Sequence, residues 1–317
     1  MTLVNPPSAS GEHVAICVPT FKRPVGLSRL LESIRVMDIE GISVHLIVVD
    51  NDPEGSARSI VQDHASAAPY PVTYIVESVR GLTSVRNRLV AEARSHGVTF
   101  IAFVDDDETV AEQWLKTLVA EATLRNADGV AGKTVYSFDD TVPESVRICF
   151  QFSGAPAGPT LTRLSTANLL YRLSTLDQIP GPFSQGGNLS GGEDVLLSQK
   201  LHDMGASFFY RDDAITYETV PLSRTTSKWI LKRAYAIGVT QTMIVRTASP
   251  SFRKTGVHLI TSLGRVLVGS IQVLTAVVID RDKVLFRSRR VASGVGSIAS
   301  FLTRRAVHHQ YAEHHGE

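Results

Sequence analysis

The sequence is poor in cysteine, with only Cys17 and Cys149 among its 317 residues. Both lie among apolar neighbours, and neither has a CxxC or a histidine-rich context, so neither a zinc site nor a disulfide framework is indicated. We expect both to be reduced core residues of a cytoplasmic protein. The net charge is also small, +1 at pH 7, which gives no electrostatic reason to expect a nucleic-acid partner.

Glycine-rich phosphate loops of the two common kinds are also missing. No GxGxxG follows a predicted strand and no GxxxxGK[ST] occurs, which argues against a dehydrogenase and against a P-loop NTPase. Residues 1–12 contain Pro and Ser but lack a basic segment followed by an apolar one. We therefore expect a flexible tail there and no signal peptide.

Residues 98–108, VTFIAFVDDDE, form an unbroken apolar run that ends in Asp105, Asp106 and Asp107. The run is typical of a strand buried on both faces of a parallel sheet, so its charged end should emerge at the carboxyl edge. Three carboxylates are costly to bring together unless a cation lies among them, and oxygen ligands suit Mg²⁺ or Mn²⁺. The alternative is a solvated acidic loop that caps a helix starting near Glu112.

Strand and helix signals alternate from His13 onward. This order predicts an α/β fold with a parallel, doubly wound sheet, and ligands of such sheets bind at the carboxyl ends of the strands. The predicted strands before the acidic one are residues 14–20, 44–50 and 72–77, and the predicted helices are 25–37, 57–65 and 83–95.

The residues that follow these strands suit a nucleotide diphosphate. Carboxylates for the base and ribose, basic side chains for the phosphates and a metal site would meet in one crevice. The residues are Pro19, Thr20, Phe21, Lys22 and Arg23 after the first strand, Asp50 and Asn51 after the second, Arg80 and Gly81 after the third, and the three aspartates after the fourth.

Five segments occur in a characteristic order and spacing: PTFKR, VVDN, RGLTSVRN at 80–87, the DxD of Asp105 and Asp107, and GGEDVLL at 191–197. Together they resemble the family 2 glycosyltransferases of GT-A fold. A DxD motif alone is a weak signal, but DxD with the upstream VVDN and the downstream ED pair is a strong one. The resemblance implies a GT-A catalytic domain over residues 13–248, with a doubly wound, mostly parallel sheet flanked by helices. Residues 218–238 are similar to the bacterial exopolysaccharide glucosyltransferases of the succinoglycan type.

The resemblance also implies roles for the acidic residues that bind the donor. Asp50 would contact the nucleobase, and Asp105 would hold the ribose or a metal-bound water. Asp107 would ligate the divalent ion, Mn²⁺ or Mg²⁺, that bridges the diphosphate, with Asp105 as a further ligand. Glu218 stands where many members of the family carry histidine, so its place as the third ligand is in doubt. Asp106 is either a donor-binding residue or a supporting hydrogen-bond partner.

Basic and amide side chains would complete the donor site. Arg86 and Asn87 match positions that line the uracil side, although Arg86 could equally be a cation on a helix surface. For both Lys22 and Arg80, phosphate neutralisation and ordinary surface charge are equally open alternatives. Arg233 is a candidate clamp for the diphosphate.

The resemblance places a general base after the glycine-rich residues 186–192. In an inverting transfer, one carboxylate takes the proton of the acceptor hydroxyl as the new bond forms. Asp194 is the predicted base, and Glu193 would orient the acceptor or support Asp194. Acidic decoration of a helix N-terminus is the alternative for this pair. Asn168 could line the sugar pocket or satisfy backbone groups, and Trp229 could pack in the core or stack on an acceptor sugar.

Residues 249–317 form a predicted helical appendage of different composition. Residues 257–279 are apolar and long enough to span a membrane, yet they include His258, Arg265 and Gln272. A second apolar segment extends to about Leu302. We expect helices that lie in the membrane interface, with a spanning helix and a soluble hairpin as alternatives. Basic residues separate the two segments at Arg281, Lys283, Arg287, Arg289 and Arg290.

These observations predict an inverting, metal-dependent hexosyltransferase. Its donor would be a nucleotide-diphosphate sugar, with UDP as the expected nucleotide, and its acceptor a saccharide or lipid-linked saccharide for a cell-surface polysaccharide. The enzyme would work at the inner face of the cell membrane, in peripheral contact with it. Transfer to polyprenyl phosphate is an alternative, and so is a catalytically silent nucleotide-sugar-binding protein of the same fold.

Overall fold

A computed structural model describes residues 11–151, 164–184, 192–248 and 251–302. Within these ranges, eight strands form one sheet in the order β3-β2-β1-β4-β7-β6-β8-β5. The strands are β1 (Glu12–Thr20), β2 (Ile42–Asp50), β3 (Val72–Val76), β4 (Phe100–Phe103), β5 (Glu108–Val110), β6 (Gly129–Ser137), β7 (Leu169–Arg172) and β8 (Phe208–Thr219).

Ten α-helices belong to the same described ranges. The helices are α1 (Pro24–Val36), α2 (Arg58–Ala67), α3 (Leu82–Ser95), α4 (Trp114–Leu124), α5 (Glu144–Arg147), α6 (Leu173–Leu176), α7 (Glu193–Asp203), α8 (Ser227–Ala248), α9 (Phe252–Ile279) and α10 (Lys283–Leu302). A 3₁₀ turn at Leu222–Arg224 joins β8 to α8.

The first half of the sheet is parallel, as the sequence predicts. β1 pairs with β2 and β4, and β2 pairs with β3, all in parallel register. Thr20 pairs with Asp50 at the ends of their strands. The segments that follow β1, β2 and β4 therefore leave the sheet along one carboxyl edge, where a ligand is expected.

The second half of the sheet is mixed. β7 is antiparallel to both β4 and β6, whereas β6 and β8 are parallel. β5 follows directly after the three aspartates and pairs antiparallel with β8, so Glu108 lies opposite Glu218. This pairing brings the end of β8 to the acidic turn, and no pattern in the sequence had predicted β5.

The core has two layers, one on each face of the sheet. Val14, Ile16 and Val18 of β1 pack into one layer, while Ala15 and Cys17 pack into the other. Both faces are buried, which is why the strand reads as a continuous apolar run. Cys17 and Cys149 are buried free thiols, which confirms that they are core residues.

The C-terminal region is helical, as predicted, and α10 packs along both α8 and α9. The α8–α10 approach requires glycine, because a Cβ on Gly238 would collide with the backbone of Ser293 and one on Gly296 with the backbone of Tyr235. Close packing of this kind joins α10 to α8, and α9 contacts both of these helices.

The helix α9 turns its apolar side outward. Its buried residues are His258, Ser262, Gly269 and Ala276, which are polar or small. Among the described residues it is the one helix long and apolar enough to cross a membrane. The apolar side chains that remain exposed on it include Val257, Ile260, Leu263, Leu267, Ile271, Leu274 and Val278.

Polar residues that interrupt the apolar run of α9 face its neighbours. The imidazole of His258 shares a 3.0 Å hydrogen bond with Thr242 of α8. Arg265 donates to Gln241 of α8 at 2.7 Å, and Gln272 accepts a hydrogen bond from α10 at 3.5 Å. These contacts leave the outer side of α9 apolar.

Candidate active site

The buried carboxylate of Asp106 holds the acidic turn to the end of β1. It accepts hydrogen bonds from the Thr20 hydroxyl at 2.8 Å, from Arg23 at 2.9 Å and from the Phe21 amide at 3.4 Å. Burial raises the pKa of Asp106 to about 6, although Arg23 opposes this. The geometry matches the supporting role that the sequence left open for Asp106, and it shows Thr20 and Arg23 as its partners. Pro19, the residue before Thr20, is buried in β1.

Two of the predicted metal ligands lie on either side of one guanidinium nitrogen. Nη1 of Arg224 is 3.2 Å from Glu218 Oε1 and 3.5 Å from Asp107 Oδ2. Arg23 also donates to Asp107, at 2.8 Å. Burial, followed by the nearby Asp107, raises the pKa of Glu218 to about 7. A position that suits a cation therefore exists between Asp107 and Glu218.

Asp105, the further metal ligand that the resemblance implies, faces a different arginine. It lies 3.8 Å from Arg86, and its carboxylate is one-third exposed. In the part of the chain that the structure describes, no three acidic, histidine or cysteine side chains form a ready-made metal site. The oxygen donors of Asp107 and Glu218 nevertheless fit Mg²⁺ or Mn²⁺, since Mg²⁺ is commonly held by one or two carboxylates together with substrate phosphates.

Glu108 is a site residue that sequence reasoning missed. It is 2 % exposed, and its carboxylate accepts hydrogen bonds from Thr216 at 3.0 Å, from Thr134 at 3.2 Å and from the Asp105 amide at 3.2 Å. Burial and the adjacent Asp105 raise its pKa well above the ordinary range. The sequence does contain a signal for this residue, since Glu108 is a fourth acidic residue in DDDE, after the three aspartates considered for the metal site.

Arg86 joins the acidic turn to the start of α7. The side chain is 4 % exposed and forms an ion pair with Glu193, and it also faces Asp105. Burial lowers the pKa of Arg86, but Glu193 and Asp105 outweigh this effect, so the guanidinium stays charged. The alternative of a helix-surface cation is therefore wrong.

The Glu193–Asp194 pair divides into a buried and an accessible carboxylate. Glu193 is 2 % exposed, and burial raises its pKa even though Arg86 opposes the shift. Asp194 is half-buried and accepts hydrogen bonds from the amides of Thr166, at 3.4 Å, and Val195, at 2.7 Å. This geometry agrees with Asp194 as the reacting group and Glu193 as its support.

Gly192 fixes where α7 begins. Its φ is 92°, and a Cβ there would collide with the side chain of Thr240 on α8. The helix that carries Glu193 and Asp194 therefore starts in close contact with α8. The preceding residues of the glycine-rich segment, 185–191, lie outside the described residues.

The carboxylate of Asp50 stabilises its own loop. It is fully buried, and it accepts hydrogen bonds from the Asp52 and Ala57 amides, both at 2.9 Å, and from the Tyr74 hydroxyl at 2.8 Å. The predicted contact between Asp50 and a nucleobase finds no support in this geometry, because none of the carboxylate faces solvent.

Asn87 likewise contacts the backbone instead of an open crevice. Its amide donates to the Phe183 carbonyl at 2.8 Å and accepts from the Phe183 amide at 3.0 Å. The motif residue thus anchors the chain before residues 185–191. Its predicted place on the uracil side is not apparent from these contacts.

The remaining predicted cations lie near the rim of the site. Lys22 is half-exposed and 3.8 Å from Asp52, and the exposed Arg80 stacks over Phe21 at 4.9 Å. Both alternatives, phosphate contact and surface charge, stay open for these two. Arg233 stacks over Trp229 at 5.7 Å and lies close enough to lower the pKa of Glu218.

Asn168 and Trp229 have packing roles in the structure. Asn168 is fully buried, donates to the carbonyls of Lys133 and Ala214, and accepts from the Trp114 indole at 2.7 Å. Trp229 stacks on Phe150 with a centroid separation of 6.2 Å. The contacts agree with the alternatives of backbone hydrogen bonding for Asn168 and of packing for Trp229.

Residues 15–184 match the family model of glycosyl transferase family 2, and this segment is more than half of the chain. The chain belongs to this family. It is 29% identical to the succinoglycan biosynthesis protein ExoM of Rhizobium meliloti over 76% of this chain and 78% of that protein. It is 25% identical to a pre-mycofactocin glycosyltransferase of Mycobacterium tuberculosis, over 76% of this chain and 50% of the other.

Solved structures share the fold of this family-2 chain. A mannosyltransferase from Pyrobaculum calidifontis, in complex with GDP-Man and Mn²⁺, superposes with a TM-score of 0.57 at 15% identity, covering 90% of this chain and 86% of that one. TarS 1-349 of S. aureus gives 0.51 at 16% identity, covering 93% of each chain. The predicted resemblance and the GT-A fold are confirmed.

Proposed function

We propose that this family-2 chain is an inverting, metal-dependent hexosyltransferase of cell-surface polysaccharide synthesis. The observation that carries the proposal is the division of its carboxylates at one edge of the sheet. Asp107 and Glu218 flank a cation position, whereas Asp194 lies on α7 with Glu193 and Arg86 linking it to the acidic turn. Asp107 and Glu218 suit a donor diphosphate, whereas Glu193 and Asp194 suit an acceptor.

The donor is a nucleotide-diphosphate sugar, with UDP as the proposed nucleotide. A divalent ion, Mn²⁺ or Mg²⁺, would neutralise the departing diphosphate. Asp107 and Glu218 would ligate that ion, with Asp105 near the ribose side. Arg23 fixes Asp106 and Asp107 in place, and basic side chains at the rim stabilise phosphate charge. A related solved structure contains GDP-Man and Mn²⁺, which supports this donor class.

Asp194 acts as the general base. It is half-buried at the first turn of α7, and two backbone amides fix its carboxylate without removing it from solvent. A carboxylate in this position takes the proton of an acceptor hydroxyl as that hydroxyl attacks the anomeric carbon opposite the nucleotide. Glu193 and Arg86 neutralise each other beside it, so they position the base and leave it the reacting charge.

The acceptor is a saccharide or lipid-linked saccharide at the inner face of the cell membrane. The similarity to the succinoglycan biosynthesis protein ExoM supports the polysaccharide role. The outward apolar side of α9 supports peripheral membrane contact, since a soluble hairpin would bury it. Phe286 of α10 packs beside Ile230 of α8, with Arg287 and Arg289 stacked on its ring, so the basic end of the hairpin lies next to α8.

A screen of nucleotide sugars tests the proposal. Thermal unfolding of the full chain is measured with each nucleotide sugar in the presence of Mn²⁺ and then of EDTA, and release of the nucleotide diphosphate is followed for those that bind. We expect at least one UDP-sugar to raise the unfolding temperature in Mn²⁺ but not in EDTA, and we expect that UDP-sugar to be consumed. Binding without consumption, even when saccharide and lipid-linked acceptors are supplied, would favour the silent binding protein. Unchanged binding in EDTA would contradict the metal requirement.

A further inference from the structure

Arg224 occupies the position between two carboxylates that the proposed function assigns to a metal ion. One nitrogen of its guanidinium group is within hydrogen-bond distance of both Glu218 and Asp107, at 3.2 and 3.5 Å. A divalent ion bound by the same two oxygens at about 2.1 Å would leave no room for that nitrogen. Two cations at this separation would also repel each other strongly in a partly buried site. The guanidinium and the ion are therefore mutually exclusive.

Arg23, which also bonds to Asp107, cannot give way so easily. It precedes α1 and donates to the buried Asp106 at 2.9 Å as well as to Asp107 at 2.8 Å. Its departure would leave Asp106 buried without its charged partner, which is costly. Arg23 is thus a fixed part of the acidic turn, and competition with the ion falls to Arg224.

Arg224 lies where a short displacement is possible. It ends the 3₁₀ turn between β8 and α8, and Leu222 at the start of that turn is 55 % exposed, so movement of the turn does not open the core. The two carboxylates that hold the side chain are themselves partly exposed, 25 % for Asp107 and 19 % for Glu218. An arginine released there keeps its charge and needs another anion nearby.

We infer that Arg224 is a resident counterion that leaves Asp107 and Glu218 when the metal ion arrives and then binds the donor diphosphate. This inference rests on the proposed function, because it requires a metal site between these carboxylates. Guanidinium groups bind phosphate oxygens through two parallel hydrogen bonds, and the diphosphate would be held by the same ion that displaces Arg224. The side chain thereby couples metal binding to donor binding and keeps the carboxylates neutralised before either arrives.

The test measures two binding affinities by calorimetry on the full chain. The inference predicts that one affinity increases and the other decreases in the same variant. Without nucleotide, Arg224→Gln should bind Mn²⁺ about tenfold more tightly than the wild type, because the competing cation is gone. With saturating Mn²⁺, the same variant should bind UDP about tenfold more weakly, because a charge-assisted phosphate contact is lost. Arg224→Lys keeps the competing charge, so its Mn²⁺ affinity should stay near that of the wild type.

Arg211→Gln is the matched control. Arg211 lies on β8 and also joins two carboxylates, Glu121 and Asp213, at 2.9 and 2.5 Å, but it is not among the contacts of the acidic turn. Both affinities should be unchanged in this variant. An Arg224→Gln variant that binds Mn²⁺ no more tightly than the wild type, or binds UDP equally well, would overturn the inference while leaving the metal site intact. Absence of Mn²⁺ binding in the wild type even with UDP would overturn the metal assignment as well.

Discussion

At the scale of single residues, neighbouring carboxylates in the acidic turn have different partners. Asp106 faces Thr20 and Arg23, Asp107 faces the cation position, and Glu108 is sealed between two threonines. The backbone turns at Asp106 and Asp107, where the Glu108 amide donates to the Asp105 carbonyl at 3.1 Å, so successive acidic side chains point in different directions. Replacing one of them therefore tests one role.

Asp107→Asn should abolish metal-dependent binding of a UDP-sugar while leaving the fold intact. The substitution removes an anionic oxygen from the cation position, and the side chain is one-quarter exposed, so little burial is lost. Calorimetry with Mn²⁺ present measures the effect. Asp212→Asn, the same chemical change at an exposed position of β8, serves as the control. Unchanged affinity of the Asp107 variant would sink the assignment.

Asn168→Ala should destabilise the protein by about 3 kcal/mol, because buried partners in β6, β8 and α4 lose their hydrogen bonds. Asn168 has a φ of 55°, so part of any loss could come from placing alanine at positive φ. Asn126→Ala provides the comparison, because Asn126 has a φ of 49° on an exposed turn. Urea unfolding should show a much smaller loss for the Asn126 variant. Equal losses would mean that the hydrogen bonds contribute nothing beyond the backbone conformation.

Sequence reasoning indicated where candidate residues lie, but not which partners they have. The three aspartates follow a strand whose end could be read from its apolar run, whereas Glu193, Asp194 and Glu218 were named from the family resemblance. The burial of Asp50 and Arg86 could not be read, since it depends on Tyr74 and Glu193, which are distant in the sequence. Some motif residues were predicted to bind ligands, but in the structure they form hydrogen bonds with backbone groups.

At the scale of elements, α9 is the helix whose surroundings differ most from those of the others. Helices of the catalytic sheet bury their apolar side, whereas α9 buries small and polar residues and exposes Leu267, Ile271 and Leu274. The side chains that argued against a membrane-spanning helix, His258 and Arg265, bond to α8. The helix therefore presents a mainly apolar outer surface, in which Thr261 and Thr275 are the exposed polar residues beyond its first turn.

Leu267→Gln combined with Ile271→Gln should weaken binding to lipid vesicles at least about tenfold, because each side chain would contribute up to a few kcal/mol when buried in the interface. The matched control is Leu124→Gln, since Leu124 is 80 % exposed on α4. Vesicle co-sedimentation of the full chain measures the partition. A wild type that stays in the supernatant removes the membrane claim and leaves the glycosyl transfer untouched.

The basic end of the hairpin tests the charge dependence of the same contact. Replacing Arg287, Arg289 and Arg290 with glutamine should reduce binding to anionic vesicles, since each nearby cation contributes about 1 kcal/mol before screening. High salt should weaken the binding of the wild type in the same direction. Equal partition of wild type and variant at low salt would show that the arginines have packing roles only, Arg287 and Arg289 against Phe286 and Arg290 against Gln272.

Element prediction succeeded where periodicity was local and failed where pairing was distant. The four parallel strands and their helices were found within a few residues, because each is a short apolar segment with clear ends. β5 is only three residues long and is defined by its pairing with β8. No local pattern predicts this strand, so the pairing of Glu108 with Glu218 could not be predicted either.

At the scale of the whole molecule, both the parallel half and the mixed half of the sheet contribute residues to the proposed donor site. β1 and β4 carry the residues that hold the acidic turn, while β8 brings Glu218 and the 3₁₀ turn with Arg224. The Arg86–Glu193 ion pair connects this edge to α7, so the proposed base is fixed relative to the proposed metal position. Donor binding and proton transfer are thus assigned to separate residues of one site.

Asp194→Asn tests that separation most directly. With Mn²⁺ and the nucleotide sugar that the screen identifies, the variant should keep the calorimetric donor affinity of the wild type and lose transfer by roughly 10²–10⁴-fold, the range for removal of a general base. Asp203→Asn at the other end of α7 should keep both. Near-normal turnover by the Asp194 variant, measured as release of the nucleotide diphosphate, would contradict the account and place the base elsewhere.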